Sequence, residues 1–185
     1  MRRFILTAIF LLLSITVIVS VYNREDDTPF PEKLEKAIKF TRMKEYQDKL
    51  FGYKIRYPAF FKQTPDSLLD EAGSCRFSYW DNWVQITQTT NIIPNPDSLT
   101  IQQGMDSIAK LNHATYKQSG KDYFIISGPL YLEDSRINNY WFHSKYVQHR
   151  KIWFVTSLTY PEDCNKAVQR LINEIDHWHV WDNEK

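Results

Sequence analysis

Histidine and carboxylate side chains, which could bind a metal ion or transfer protons, come closest together near the end of the chain. His177 and His179 are separated by one residue and lie near Asp176 and Asp182. On a helix, residues two positions apart point about 200° away from each other, so these histidines could chelate a metal only beyond a helix end. We therefore expect them to cap the helix or face solvent, and we predict no metal site and no cofactor.

Two more histidines, His143 and His149, lie on or beside a predicted hairpin and are expected to face solvent. The sequence has no Gly-x-Ser-x-Gly elbow, no cysteine beside an activating histidine and no glycine-rich phosphate loop. We therefore predict a protein that is not an enzyme and has no catalytic residues. The alternative is an enzyme whose histidines and acids meet only in the folded chain.

The two cysteines, Cys75 and Cys164, could form a disulfide bond, because thiols outside the cytoplasm tend to oxidise and an even count permits pairing. The bond would close a loop of roughly 90 residues and contribute about 4–5 kcal/mol through the entropy of the unfolded chain. The alternative is two separate buried thiols that act as small apolar side chains.

Aromatic residues are concentrated on predicted strands and turns. Among them, Trp80, Trp83 and Trp141 are candidates for an exposed aromatic binding surface. Exposed aromatic faces stack on sugars and anchor protein interfaces, so such a surface would favour a binding module. The alternative is that these side chains pack across strands or beneath helices.

Antiparallel strands are predicted to position these groups. Tyr53, Ile55 and Tyr57 alternate along a strand that ends at Pro58. Residues 77–86 fit a hairpin with a two-residue loop at 81–82, in which Trp80 and Trp83 would be cross-strand neighbours. Further strands in antiparallel hairpins are predicted at residues 115–118, 123–127, 140–147 and 152–160.

Three helices are also predicted. The first starts near Pro31 and is expected to be stalk-like. The second, capped by Ser98 or Thr100, has an apolar stripe formed by Ile101, Met105, Ile108 and Ala109. The last begins at Pro161 and should lie across the sheet on an apolar stripe formed by Cys164, Val168, Leu171, Ile175 and Trp178.

The N-terminal segment favours a membrane anchor. Eighteen uncharged residues, 4–21, would span roughly 27 Å as a helix, close to the hydrocarbon thickness of a bilayer. Arg2 and Arg3 precede the segment and acidic residues follow it, so the positive-inside rule places the N-terminus in the cytoplasm and the C-terminal domain outside it, in the periplasm. The alternative is a signal peptide that is cleaved and releases a secreted protein.

The rest of the chain has the length of one domain. We assign residues 1–22 to a signal anchor, 23–42 to a tether with a short helix, and 43–182 to one α/β domain. Beyond residue 21 there are 21 basic residues (23 less Arg2 and Arg3) against 22 acidic ones, interleaved along the chain. This near-neutral mixture argues against a nucleic-acid partner, which requires a concentrated basic face.

Three segments together are typical of a known family: residues 51–58 (Phe-Gly-Tyr-Lys-Ile-Arg-Tyr-Pro), residues 123–128 (Tyr-Phe-Ile-Ile-Ser-Gly), and Tyr160-Pro161 before the last helix with its Trp178. They resemble the PsbP-like family. The resemblance implies an α+β fold, an α/β/α sandwich in which helices cover both faces of an antiparallel sheet. It also implies an assembly or accessory role, and it implies no reaction.

Together these features predict a membrane-anchored extracytoplasmic binding or accessory module, serving a protein complex or ligand of the cell envelope. Its contacts would be the membrane, through residues 4–21, and a protein partner in the envelope. The alternatives are an envelope enzyme without a recognisable motif and a purely structural envelope protein.

Overall fold

The computed structural model describes residues 28–69, 71–81 and 84–181. The described residues from Pro31 onward form one compact unit. The predicted anchor at residues 4–21 and the candidate surface residue Trp83 lie outside the described residues. Within the described ranges, no helix is long and apolar enough to cross a membrane.

The described part of the chain contains three α-helices and nine β-strands. The helices are α1 Phe30–Phe40, α2 Ile101–Leu111 and α3 Gln169–Asp176. The strands are β1 Met43–Gln47, β2 Lys54–Pro58, β3 Lys62–Gln63, β4 Cys75–Trp80, β5 Gln85–Pro94, β6 Tyr116–Ser119, β7 Tyr123–Leu132, β8 Ser135–His149 and β9 Ile152–Pro161.

The strands form two antiparallel sheets. β1 and β2 pair as a separate hairpin, whereas the other strands form a seven-stranded sheet in the order β3-β4-β5-β9-β8-β7-β6. Every neighbouring pair in the large sheet is antiparallel. The predicted antiparallel architecture is therefore present, and β1–β2 stands apart from the main sheet.

Helix α2 covers one face of the sheet near β6 and β7. Its predicted apolar stripe is confirmed, because Met105 and Ala109 join a buried cluster with Phe124, Tyr146 and other sheet residues. Thr100 caps the helix through a capping box with Gln103, which satisfies backbone donors at the helix start.

The opposite face of the sheet carries the hairpin β1–β2 and helix α3. On β8, Phe142 and Ser144 face α2, whereas Lys145 points to the other side of the sheet. Its ammonium group donates to carbonyl oxygens at the end of α3. The rings of Tyr53, just before β2, and Phe154 of β9 lie 6.3 Å apart, so the start of this part of the hairpin packs on β9 at this face. The residues of the predicted last stripe are all buried: Cys164, Val168, Leu171, Ile175 and Trp178. The helix itself begins at Gln169 and not at Pro161, because β9 continues to Pro161 and a short 3₁₀ turn occupies Glu162–Cys164.

Helix α1 belongs to the compact unit, contrary to its assignment as a stalk in a tether that ends at residue 42. Leu34 and Ile38 are buried. Arg170 of α3 donates hydrogen bonds from Nη1 to the backbone carbonyls of Ile38 and Thr41 at distances of 2.6 and 3.1 Å. The helix therefore has an apolar face that needs the domain for its burial.

The hairpin between β4 and β5 has a different register from the predicted one. Trp80 pairs with Gln85, and the Asp81 backbone N–H donates to the Val84 carbonyl at 3.0 Å. The Asp81 carboxylate also accepts a hydrogen bond of 2.8 Å from the Val84 backbone N–H. Asp81 therefore stabilises the turn from its start, and the partner of Trp80 differs from the predicted one.

Candidate functional site

Half of the α2-bearing sheet face remains open in the described part of the chain. Thr87 of β5 pairs with Thr159 of β9. Along β4, β5 and β9, side chains such as these alternate with buried core residues of the opposite face, and they therefore lie on the α2-bearing face. Helix α2 packs farther along the sheet, against β6 and β7. The open face is formed by Arg76, Trp80, Gln85, Thr87, Tyr140 and Thr159.

Hydroxyl and amide side chains explain why this half of the sheet needs no cover. Thr87 and Thr159 are only half-buried, and Gln85 is exposed. β-Branched threonine fits a strand well while presenting a polar group to water. On the buried face, in contrast, the same strands carry Phe77 and Leu158, which are fully buried. One strand sequence thus builds a core on one side and a hydrated surface on the other.

Two aromatic and two basic side chains stand out on the open face. Trp80 is 54% exposed, and the ammonium group of Lys62 lies 4.6 Å from the centre of its ring. Lys62 pairs with Ser78 and therefore shares this face. The Tyr140 hydroxyl accepts a 3.1 Å hydrogen bond from the Gln85 backbone N–H, which holds the ring across the end of β5. Arg76 is exposed.

These side chains border a continuous depression. A groove of about 390 Å³ is lined by Arg76, Gln85, Tyr140 and neighbouring residues. A second hollow of about 450 Å³ shares Gln85 and Tyr140 with it and extends to Trp80. The open face therefore carries two shallow, solvent-open hollows that share Gln85 and Tyr140.

Trp141, another member of the predicted aromatic surface, lies on the opposite face from Trp80. It pairs with Tyr160, which is buried, whereas the next residue, Phe142, faces the α2 cluster. Trp141 is half-buried, and its indole nitrogen has no hydrogen-bond partner among the described residues. Trp80 and Trp141 therefore do not form one aromatic surface. Tyr140 provides the second ring instead, which strand alternation from Phe142 could have indicated.

Cys75 and Cys164 are both buried as free thiols in this structure. Burial raises the pKa of Cys75 to about 11. Burial, together with Asp163, raises the pKa of Cys164 to about 12. Because the thiolate is the nucleophile, these raised pKa values make both side chains poor catalysts at neutral pH.

His143 is buried and paired, contrary to its expected exposure to solvent. Its Nε2 lies 2.8 Å from Asp176 Oδ1, and its side chain is 8% exposed. His177 and His179 are exposed, and His177 Nδ1 lies 2.8 Å from the Asn173 carbonyl oxygen. The structure thus pairs His143 with Asp176, whereas His177 and His179 lie at the surface. Among the described residues, no group of three or more metal-ligating side chains is close enough to hold a metal ion.

Lys145 forms a buried contact that sequence reasoning missed. Its ammonium group donates to the carbonyl oxygens of Asp176 and Trp178, at 2.7 and 2.8 Å, and lies 4.4 Å from the ring centre of Tyr123. Desolvation lowers the pKa of Lys145, although Asp176 and Asp122 oppose the shift. The contact anchors the C-terminal end of α3, where a positive charge interacts favourably with the helix dipole.

This fold is shared with solved structures of other proteins. No protein-family model and no curated protein matches the sequence. The structure is similar to cyanobacterial PsbP (CyanoP) from Synechocystis sp. PCC 6803, with a TM-score of 0.52 and 14% identity over 76% of this chain and 94% of that chain. It is also similar to the Ran-binding protein Mog1p from Saccharomyces cerevisiae, with a TM-score of 0.55 and 11% identity over 76% of this chain and 96% of that chain. The predicted PsbP-like fold is therefore confirmed.

Proposed function

We propose that this protein is a non-enzymatic binding or accessory module that docks a protein partner on the open face of its sheet. We further propose that residues 4–21 hold the domain at the outer side of a membrane. One observation carries the docking proposal: Arg76, Trp80 and Tyr140 share a solvent-facing half of the sheet within the described part of the chain.

Arginine, tryptophan and tyrosine are the residue types most enriched among interface residues that dominate binding energy. Trp80 can bury a large apolar area against a partner, while Tyr140 is already fixed by its hydrogen bond to β5. Because both side chains stand on a sheet, little backbone entropy is lost on binding. The open face is therefore a preorganised surface.

The charge of this face indicates the chemistry of the partner. Lys62 lies beside Trp80, and Arg76 lies on the same α2-bearing side of the sheet, four residues before Trp80 on β4. An acidic surface around an apolar projection would pair with the two cations and fill the groove next to Tyr140. We therefore propose a protein partner with carboxylates around an apolar side chain. Mog1p is a Ran-binding protein, so a protein with this fold does bind a protein partner.

Site-specific photocrosslinking in native membranes tests the docking proposal. A photoreactive side chain at Thr87, on the open face, should capture one partner, and the same group at exposed Lys36 of α1 should not. Trp80→Ala and Arg76→Glu should abolish the Thr87 crosslink, whereas Lys36→Glu should leave it unchanged. Capture from both positions, or capture that survives both open-face substitutions, would refute docking at this surface.

Alkaline carbonate extraction tests the anchor. An anchored chain of full length should stay with the membrane, since residues 4–21 form an uncharged apolar segment. Release of the intact chain would refute anchoring. Release of a chain shortened at its N-terminus would instead show secretion after signal cleavage.

A further inference from the structure

A further cavity lies on the other side of the sheet, between hairpin β1–β2 and the end of α3. It has a volume of about 280 Å³. Ile55, Gln88, Thr156, Glu174, Ile175 and Trp178 contribute to its lining. Gln88 alternates with Thr87 on β5, so this cleft and the open face occupy opposite sides of the same strands.

The floor of the cleft contains a polar side chain with unused hydrogen-bonding capacity. Gln88 is 3% exposed, and its Nε2 donates to the Arg56 carbonyl at 3.0 Å. Its Oε1 has no hydrogen-bond partner among the described residues. A buried acceptor without a partner is destabilising, and a donor supplied by a ligand would remove that penalty. The floor therefore favours a ligand with an N–H or O–H group.

The mouth of the cleft carries charges of both signs. Arg56 Nη1 lies 3.1 Å from Glu174 Oε2, and the two side chains are 55% and 25% exposed. A second exposed pair joins Lys54 to Glu45 at 3.6 Å. Exposed ion pairs contribute little to stability, so a ligand can replace them at small cost. A ligand with one charge would leave one member of a pair unmatched, whereas a ligand with two opposite charges would match both.

We propose that this cleft binds a small zwitterion, a free α-amino acid with an apolar side chain. Its carboxylate pairs with Arg56, and its ammonium group pairs with Glu174 and donates to Gln88 Oε1. Its side chain packs against Ile175 and Trp178, which are buried and line the cleft. The volume lies just below the range of pockets that hold larger ligands, which fits a molecule of this size.

Calorimetric titration of the full-length chain in mild detergent tests the proposal. Leucine or alanine should bind saturably with one site per chain. Two analogues of leucine each lack one charge: 4-methylpentanoate has no ammonium group, and 3-methylbutylamine has no carboxylate. Each should bind at least about tenfold more weakly, since charge-assisted hydrogen bonds are lost. The proposal would be overturned if either analogue bound as tightly as leucine, or if neither leucine nor alanine bound.

Variants locate the binding to this cleft. Glu174→Gln should weaken leucine binding about tenfold or more, because it removes the charge that faces the ammonium group. Glu35→Gln is the matched control, since Glu35 also forms an exposed ion pair, with Lys166 at 3.1 Å, but does not line the cleft. Unchanged leucine binding in Glu174→Gln, or equal weakening in both variants, would refute this site. Partner crosslinking at Thr87 is a separate measurement, so the two proposals fail independently.

Discussion

Replacing Lys145 tests whether a single buried ammonium group fastens helix α3 to the sheet. Lys145 is 2% exposed and donates to two carbonyl oxygens at the end of α3. Lys145→Met keeps the length of the side chain but removes both hydrogen bonds. Each carbonyl left without a partner costs about 1–3 kcal/mol, and relief of the desolvated charge offsets part of the sum. We expect the free energy of unfolding to fall by about 2–4 kcal/mol.

Urea unfolding of the full-length chain, followed by tryptophan fluorescence, measures this change. Lys117→Met is the matched control, because Lys117 forms an ion pair of 2.8 Å with Asp106 in which both side chains are about half exposed. Such a surface pair contributes about 0–1 kcal/mol. A loss in Lys145→Met no larger than the loss in Lys117→Met would refute the reasoning, since it would mean that the carbonyls find other partners.

Two further stability changes follow from local geometry and from a raised pKa. A Cβ atom at Gly104 would lie 2.9 Å from the ring of Trp153. Gly104→Ala should therefore lower the free energy of unfolding, measured with heat or urea, by about 1–3 kcal/mol despite the higher helix propensity of alanine. An unchanged stability would contradict the tight fit. The pKa of Cys75 is raised by burial from its ordinary value of 9.0 to about 11. The unfolded thiol therefore ionises first, and stability should fall by about 2–3 kcal/mol as the pH rises between these values. Cys75→Ala should lack this part of the alkaline loss, and an identical pH profile would refute the assignment.

Periodicity predicted the helices that bury one continuous stripe. Met105 and Ala109 on α2, and Leu171 and Ile175 on α3, follow helical spacing because each helix packs on the sheet through one side. Most of the longer strands were also predictable as elements, since their apolar residues alternate, whereas the two-residue β3 was not predicted. The sequence also predicted helix α1, but the spacing of its two apolar residues did not reveal whether the helix packs on the domain or projects from it.

Polar contacts between distant segments could not be predicted from local patterns. His143 and Lys145 occupy inward positions of β8, but their partners on and after α3 lie more than 30 residues farther along the chain. A strand pattern shows which side chains share a face and does not show what covers that face. The same limit applies to the turn after β4, where one hydrogen-bonding carboxylate, that of Asp81, favours a register shifted from the predicted one.

The exposure of Trp80 separates a binding role from a structural one. Trp153 is 2% exposed and packs in the core, so Trp153→Ala should cost about 3–5 kcal/mol of unfolding free energy. Trp80 is 54% exposed and its ring contacts the surface residue Lys62, so Trp80→Ala should change stability by less than about 1 kcal/mol. Urea unfolding of both variants, measured beside crosslinking from Thr87, distinguishes the roles. If Trp80→Ala destabilises the protein as much as Trp153→Ala does, then Trp80 supports the fold and is not a docking residue. Loss of the crosslink with stability intact would leave partner binding as the function of the exposed ring.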